Sequence, residues 1–188
     1  MQTQQGAAVC GVVISVSRND SHTFSKQTVD EVKLLAGLGV EEDAHAGNTV
    51  KHRSRVAEDP TQPNLRQVHL LQSELLDELT AKGFSVHPGD LGENILTEGI
   101  DLLDLPKGTQ LRIGQQAIVE ITGLRNPCWQ IDAFQSGLLS AVVDRDAEGA
   151  IIRKAGVMGI VLQAGSVCPH DVITASMPHE PHERLGPV

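Results

Sequence analysis

Short apolar runs broken by glycine and proline recur along this chain, and amphipathic stretches of any length are rare. Residues 9–16 are β-branched with one glycine and predict an opening strand. Residues 32–38, 95–97, 111–113, 117–122, 157–162 and 172–175 read as further short strands, with 150–153 a strand candidate. One helical period stands out: Leu71, Leu75, Leu76 and Leu79 predict a helix between Gln72 and Lys82, with Gly83 placed to end it. Residues 17–30 are polar and expected to loop, and 48–64, marked by Pro60 and Pro63, suit a long irregular connection. Residues 144–149 predict a turn between 138–143 and the strand candidate that follows. So many short strands predict a mainly β (α+β) fold, a barrel or sandwich with a few short helices. One domain is expected over 1–177, and the proline-rich stretch 178–188 is expected as a flexible C-terminal tail.

Composition narrows the function classes. A net charge of -9 repels nucleic acid and anionic membranes as a global field, so an anionic ligand would need a local basic cluster. The aromatics are three Phe and one Trp, with no Tyr, which leaves few platforms for stacking bases. No apolar run is long enough to span a bilayer and no basic residue precedes the apolar stretch 7–16, so the expected location is cytoplasmic, with neither a membrane nor a nucleic acid as partner. The three cysteines include no C-x-x-C pair, against both a disulfide framework and a cysteine-based structural zinc site. His179 and His182 are three apart around Pro181, so they do not form the helical pair of a zinc protease.

Candidate chemistry centres on Cys128. It follows the strand 117–122 in the segment Arg125, Asn126, Pro127, Cys128, where Pro127 stops the strand and sets a turn at the sheet rim. Arg125 nearby, and a helix beginning just after the cysteine, would both favour thiolate. Read locally, the alternative is a small buried hydrophobe. Lys51, His52, Arg53, Ser54 and Arg55 form the local basic cluster. With Arg66, Arg125, Arg153 and Lys154 it could line a phosphate site or remain a solvated loop. Asp43 and His45 suit an acid/base pair or a loop-stabilising contact. Glu93 and Asn94 follow residues 89–92, which read equally well as a tight turn.

Taken together, residues 39–47, 88–94, 124–128 and 153–159 resemble, in order, the motifs of the MOSC domain, the family named after the C-terminal domain of molybdenum-cofactor sulfurase. The resemblance runs from about residue 11 to about 175. It implies a stand-alone MOSC-type β-barrel that binds molybdenum cofactor (molybdopterin) or its sulfur through Cys128, as a sulfur carrier or a small molybdoenzyme reducing N-hydroxylated compounds. A non-catalytic binding or delivery module is the alternative. The implied site has Cys128, Asp43 and His45 as catalytic residues, with Cys128 the ligand to molybdenum. Arg125, Asn126, Arg53, Arg55, Arg153, Glu93 and Asn94 would contact the cofactor. An electron-donor or sulfur-donor protein is the implied partner, since the sequence carries neither an iron–sulfur ligand set nor a dinucleotide-binding glycine motif. Pyridoxal phosphate, linked to the family through fused sulfurase domains, is not expected here. Two positions depart from the family pattern. Glu42 precedes Asp43 where glycine is usual, and His170 stands between Pro169 and Asp171 where glycine would ease a left-handed backbone.

Overall fold

The β-branched run at the start becomes β1 (Cys10–Arg18), the strand on which the barrel closes. The computed structural model describes residues 10–51, 56, 57 and 59–188. Around the barrel the order is β13 (Val172–Ser176), β7 (Gln110–Ile113), β8 (Ala117–Leu124), β11 (Val157–Gln163), β5 (Val68–Gln72), β6 (Ile95–Glu98) and β1, and β1 pairs back to β13. This seven-strand closure leaves β2 (Gln27–Val29) as an extension on β1. All neighbours run antiparallel except β5 and β6, whose parallel pairing needs a crossover. The crossover carries α1 (Ser73–Ala81). Outside the barrel lie the small sheets β12 (Gly165–Val167), β3 (Val32–Leu35), β4 (Gly39–Val40) and β9 (Val143–Arg145), β10 (Ile151–Arg153). Two short helices, α2 (Gln130–Phe134) and α3 (Leu138–Ala141), complete the described elements.

Alternation decides which side chains fill the barrel. In β8, Ala117, Val119 and Ile121 point inward and are fully buried, joined by Leu111 and Ile113 of β7 and Val68 and Leu70 of β5. A second apolar cluster lies between α1 and the barrel, where Leu75, Leu76 and Leu79 meet Leu71, Leu96, Ile131 and Leu138. Each such leucine contributes roughly 1.5–3 kcal/mol through burial. The predicted helix begins and ends within one residue of expectation, and Gly83, at φ 88°, follows it.

Several expectations are corrected. Leu71 belongs to β5 and reaches the helix cluster from the sheet. The polar stretch 17–30 contains the edge strand β2. Residues 138–143 form α3 and the start of β9, so the turn is confined to 146–149. Residues 183–188 of the stretch expected as a flexible tail touch the barrel. Leu185 packs on the barrel core, Pro187 bridges to Leu124, and Glu183 accepts from the Lys107 amide at 2.9 Å. Glu42 (φ 59°) and His170 (φ 73°) both adopt the left-handed conformation that glycine would ease. Among the described residues no helix is long and apolar enough to cross a membrane.

Candidate functional site

Where β8 runs out, the chain is held by one more sheet-like bond, from the Arg125 amide to the Gly156 carbonyl at 2.9 Å. Gly156 is at φ 89°, and a Cβ there would run into the Leu70 carbonyl, so only glycine lets the segments approach. Pro127 then turns the chain, and Cys128 lies two residues before α2, its carbonyl accepting from the Ile131 amide at 3.1 Å. Its thiol is half-buried and reaches Gln130 Oε1 at 3.4 Å.

Cys128 opens onto a cavity of about 270 Å³ shared with Arg125, Asn126, His45, Asn94, Lys26 and His69. Lys51 and Arg66 line it too, so the ring around the thiol is basic in a chain of net charge -9. Arg125 is buried, with its guanidinium 5.7 Å from the centroid of the Phe24 ring. Its Nη1 is buried and has no hydrogen-bond partner among the described residues. Burial lowers the Arg125 pKa, and the charges at Cys128 and Glu93 oppose that shift.

Asp43 is the hub behind this cavity. Its Oδ2 accepts from Lys26 Nζ at 2.7 Å and Asn94 Nδ2 at 3.0 Å, and its Oδ1 from the His45 amide at 3.0 Å. His45 Nδ1 lies 3.2 Å from the same Oδ1, which can accept a hydrogen bond from that nitrogen only as Nδ1–H. Burial pushes the Asp43 pKa up, but the bonds from His45 and the Lys26 charge outweigh it and hold the carboxyl well below the usual range. Burial lowers the Lys26 pKa despite Asp43; we read the pair as ionised, because a 2.7 Å contact with no other charge closer is what both need. Glu93 is buried, with its pKa raised by burial; one oxygen accepts from the Gly89 amide and the other has no partner among the described residues.

The structure therefore gathers Cys128, Arg125, Asn126, His45 and Asn94 on the cavity wall and places Asp43 and Glu93 behind it. Arg153 is not on that wall; its Nε donates to Asn126 Oδ1 at 3.1 Å. Arg53 and Arg55 lie outside the described residues. Two residues went unmarked in the sequence. Lys26 lies in a stretch expected to loop, and His69, whose Nε2 is 2.8 Å from the Ala155 carbonyl, is the one polar residue in the apolar run 68–71. That interruption was the only signal for it. Cys10 and Cys168 do not line the cavity.

Comparison with known proteins fits this geometry. The family model described as MOSC domain matches residues 41–174. This chain belongs to the MOSC domain family. The MOSC match covers the Asp43 hub, the Cys128 turn and the Gly156 contact together. Among solved structures, the YuaD protein from Bacillus subtilis superposes with a TM-score of 0.75 at 24% identity, covering 92% of this chain and 98% of that one. YiiM from Geobacillus stearothermophilus gives 0.61 at 19% identity, covering 92% and 77%, and YiiM from Escherichia coli 0.59 at 18%, covering 92% and 73%. At these identities the likeness speaks for the shared fold. No curated protein matches this sequence.

Proposed function

We propose that this MOSC protein acts in the cytoplasm and binds molybdenum cofactor in the Cys128 cavity, with Cys128 as the sulfur ligand from the protein. The observation that carries the reading is Arg125, a buried guanidinium whose Nη1 has no partner among the described residues, lining the same cavity as the thiol. A buried guanidinium nitrogen without an acceptor is costly alone and suits a phosphate or other anion brought by a ligand. Lys51 and Arg66 add to the local positive field. A soft thiolate suits molybdenum. The residues present therefore fit the cofactor.

When bound, the cofactor supplies two-electron redox chemistry. The balanced reaction is R–NHOH + 2 e⁻ + 2 H⁺ → R–NH₂ + H₂O, with electrons from a separate donor protein. His45 is the proton-handling group: Asp43 holds Nδ1–H, which leaves Nε2 to bind and release a proton. Asp43 itself orients, because both its oxygens are engaged and it stays ionised. Asn126, braced by Arg153, and Asn94, braced by Asp43, offer fixed polar edges to the ligand. Placement of the thiol inside a cavity favours a ligand role over a carrier that must hand sulfur to another protein. Lys26, the buried lysine of the cavity, is committed to Asp43, which argues against a Schiff base with pyridoxal phosphate.

The test is molybdenum content and turnover of a hydroxylamino compound with an artificial electron donor, in wild type and Cys128→Ser. The reading expects about one molybdenum per chain and turnover, both lost in the variant. Molybdenum bound without turnover would make the protein a delivery module, and a mass gain of one sulfur on Cys128 without molybdenum would make it a carrier.

A further inference from the structure

We propose that residues 183–188 form a strap that makes one wall of the Cys128 cavity and that unseating it opens the cavity. β7 pairs with β8 as far as Glu120, and Gly108 and Thr109 bond Ile121 beyond it, so only the end of that edge, at Leu124, is left for another partner. The strap takes the last position on that edge. The Leu124 amide donates to the Gly186 carbonyl at 2.8 Å, and the Leu124 carbonyl accepts from the Val188 amide at 3.2 Å. Leu124 is the residue immediately before Arg125, and Val188 lines the cavity with Arg125 and Cys128.

The strand is shaped to receive the strap. A Cβ at Gly123 would stand 2.5 Å from the Gly186 carbonyl oxygen and 2.8 Å from Val188 Cγ1, so a side chain there would push the strap off. The hold is slight. Residues 179–184, 186 and 187 are exposed, Leu185 is the apolar anchor, and the Lys107–Glu183 ion pair at 3.1 Å is open to water. A segment held by two half-buried side chains, Leu185 and Val188, and three backbone bonds belongs to the low-stability end of a fold, whereas the barrel strands beneath it do not. The strap can therefore leave while the barrel stays closed, and its departure removes the Val188 wall.

The test needs no cofactor, so it can fail without touching the cofactor reading, and the reverse also holds. In wild type, amide hydrogen exchange should show Leu124 and Val188 exchanging at one common rate, at least tenfold faster than Arg125, whose amide bonds to Gly156. Leu185→Asp, or the milder Leu185→Ala, should raise both exchange rates at least fivefold, and the rate at which a bulky maleimide labels Cys128 should rise in parallel. Protection of Leu124 and Val188 equal to that of Arg125 would make the strap a fixed wall and overturn the proposal. Faster exchange with Cys128 labelling unchanged within twofold would overturn it as well.

Discussion

Replacing Asp43 with alanine should be among the most damaging changes available in this protein, and the damage should shrink at alkaline pH. Lys26 and Asp43 form an ion pair at 2.7 Å with side chains only 5% and 2% exposed. Removing one member of such a pair strands the other charge, at a cost of about 3–5 kcal/mol. Asn94 and the His45 amide lose their acceptor too, but within the same network, so their losses are not added. For a chain of this length, that range lowers Tm by roughly 6–20 °C. The pH dependence follows from the two partners. The Asp43 pKa is depressed in the fold, so the wild-type contribution is complete above the unfolded carboxylate value of about 3.9 and is lost as pH falls through the folded pKa. In Asp43→Ala, Lys26 keeps its burial and loses both upward influences of Asp43, so its pKa falls further. The folded state then releases a proton that the unfolded state still holds, and variant stability rises with pH. Urea denaturation at pH 7 and pH 10 measures this, and Lys26→Met in the Asp43→Ala background should restore about 2 kcal/mol or more at pH 7. A loss below about 1 kcal/mol at pH 7, or one that Lys26→Met leaves unchanged, would refute the buried-pair argument.

Burial, then the Arg125 charge, holds the His69 pKa well below its ordinary value, so the folded protein keeps this ring neutral while the unfolded chain protonates it below about pH 6.5. Stability should fall as pH drops below that point, by at most about 1.4 kcal/mol per pH unit from this residue, and urea titrations of His69→Gln should show a shallower slope; equal slopes would sink the assignment. Gly156→Ala combines φ 89° with a collision against the Leu70 carbonyl and should cost about 2 kcal/mol or more by the same assay, whereas a neutral result would show that the 153–159 segment yields easily. Burial, then the Glu31 carboxylate 3.6 Å away, pushes the Cys168 thiol up, so iodoacetamide at pH 7.5 should label Cys128 faster than Cys168; mass-mapped rates in the opposite order would contradict the placement of the reactive thiol.

Local signals proved readable where the physics is local. The leucine period sets α1 to within a residue, and Pro127 marks the turn that presents Cys128 beside Arg125. Barrel closure is a different kind of fact. The β1–β13 pairing joins Cys10 to Thr174, and neither strand carries in its own sequence a mark of its partner. Buried polar residues were hidden for the same reason. Lys26 reads as a loop residue until Asp43, 17 positions on, is folded against it, and His69 finds its carbonyl 86 positions away. Proline in 178–188 announced the absence of a helix but said nothing of the open edge at Leu124 that the segment fills. The left-handed His170 was readable because the family motif has glycine there, whereas at Glu42 the sequence showed only the departure from glycine.

Native mass spectrometry of the gently purified full chain tests the central claim most directly, comparing wild type, Cys128→Ser and Arg125→Met from molybdate-supplied cells. The account predicts one adduct per wild-type chain with the mass of a molybdenum-bearing pterin phosphate, loss of the metal in Cys128→Ser, and a weakened or absent adduct in Arg125→Met. A wild-type chain at its bare polypeptide mass, or an adduct that survives intact in Cys128→Ser, would contradict it.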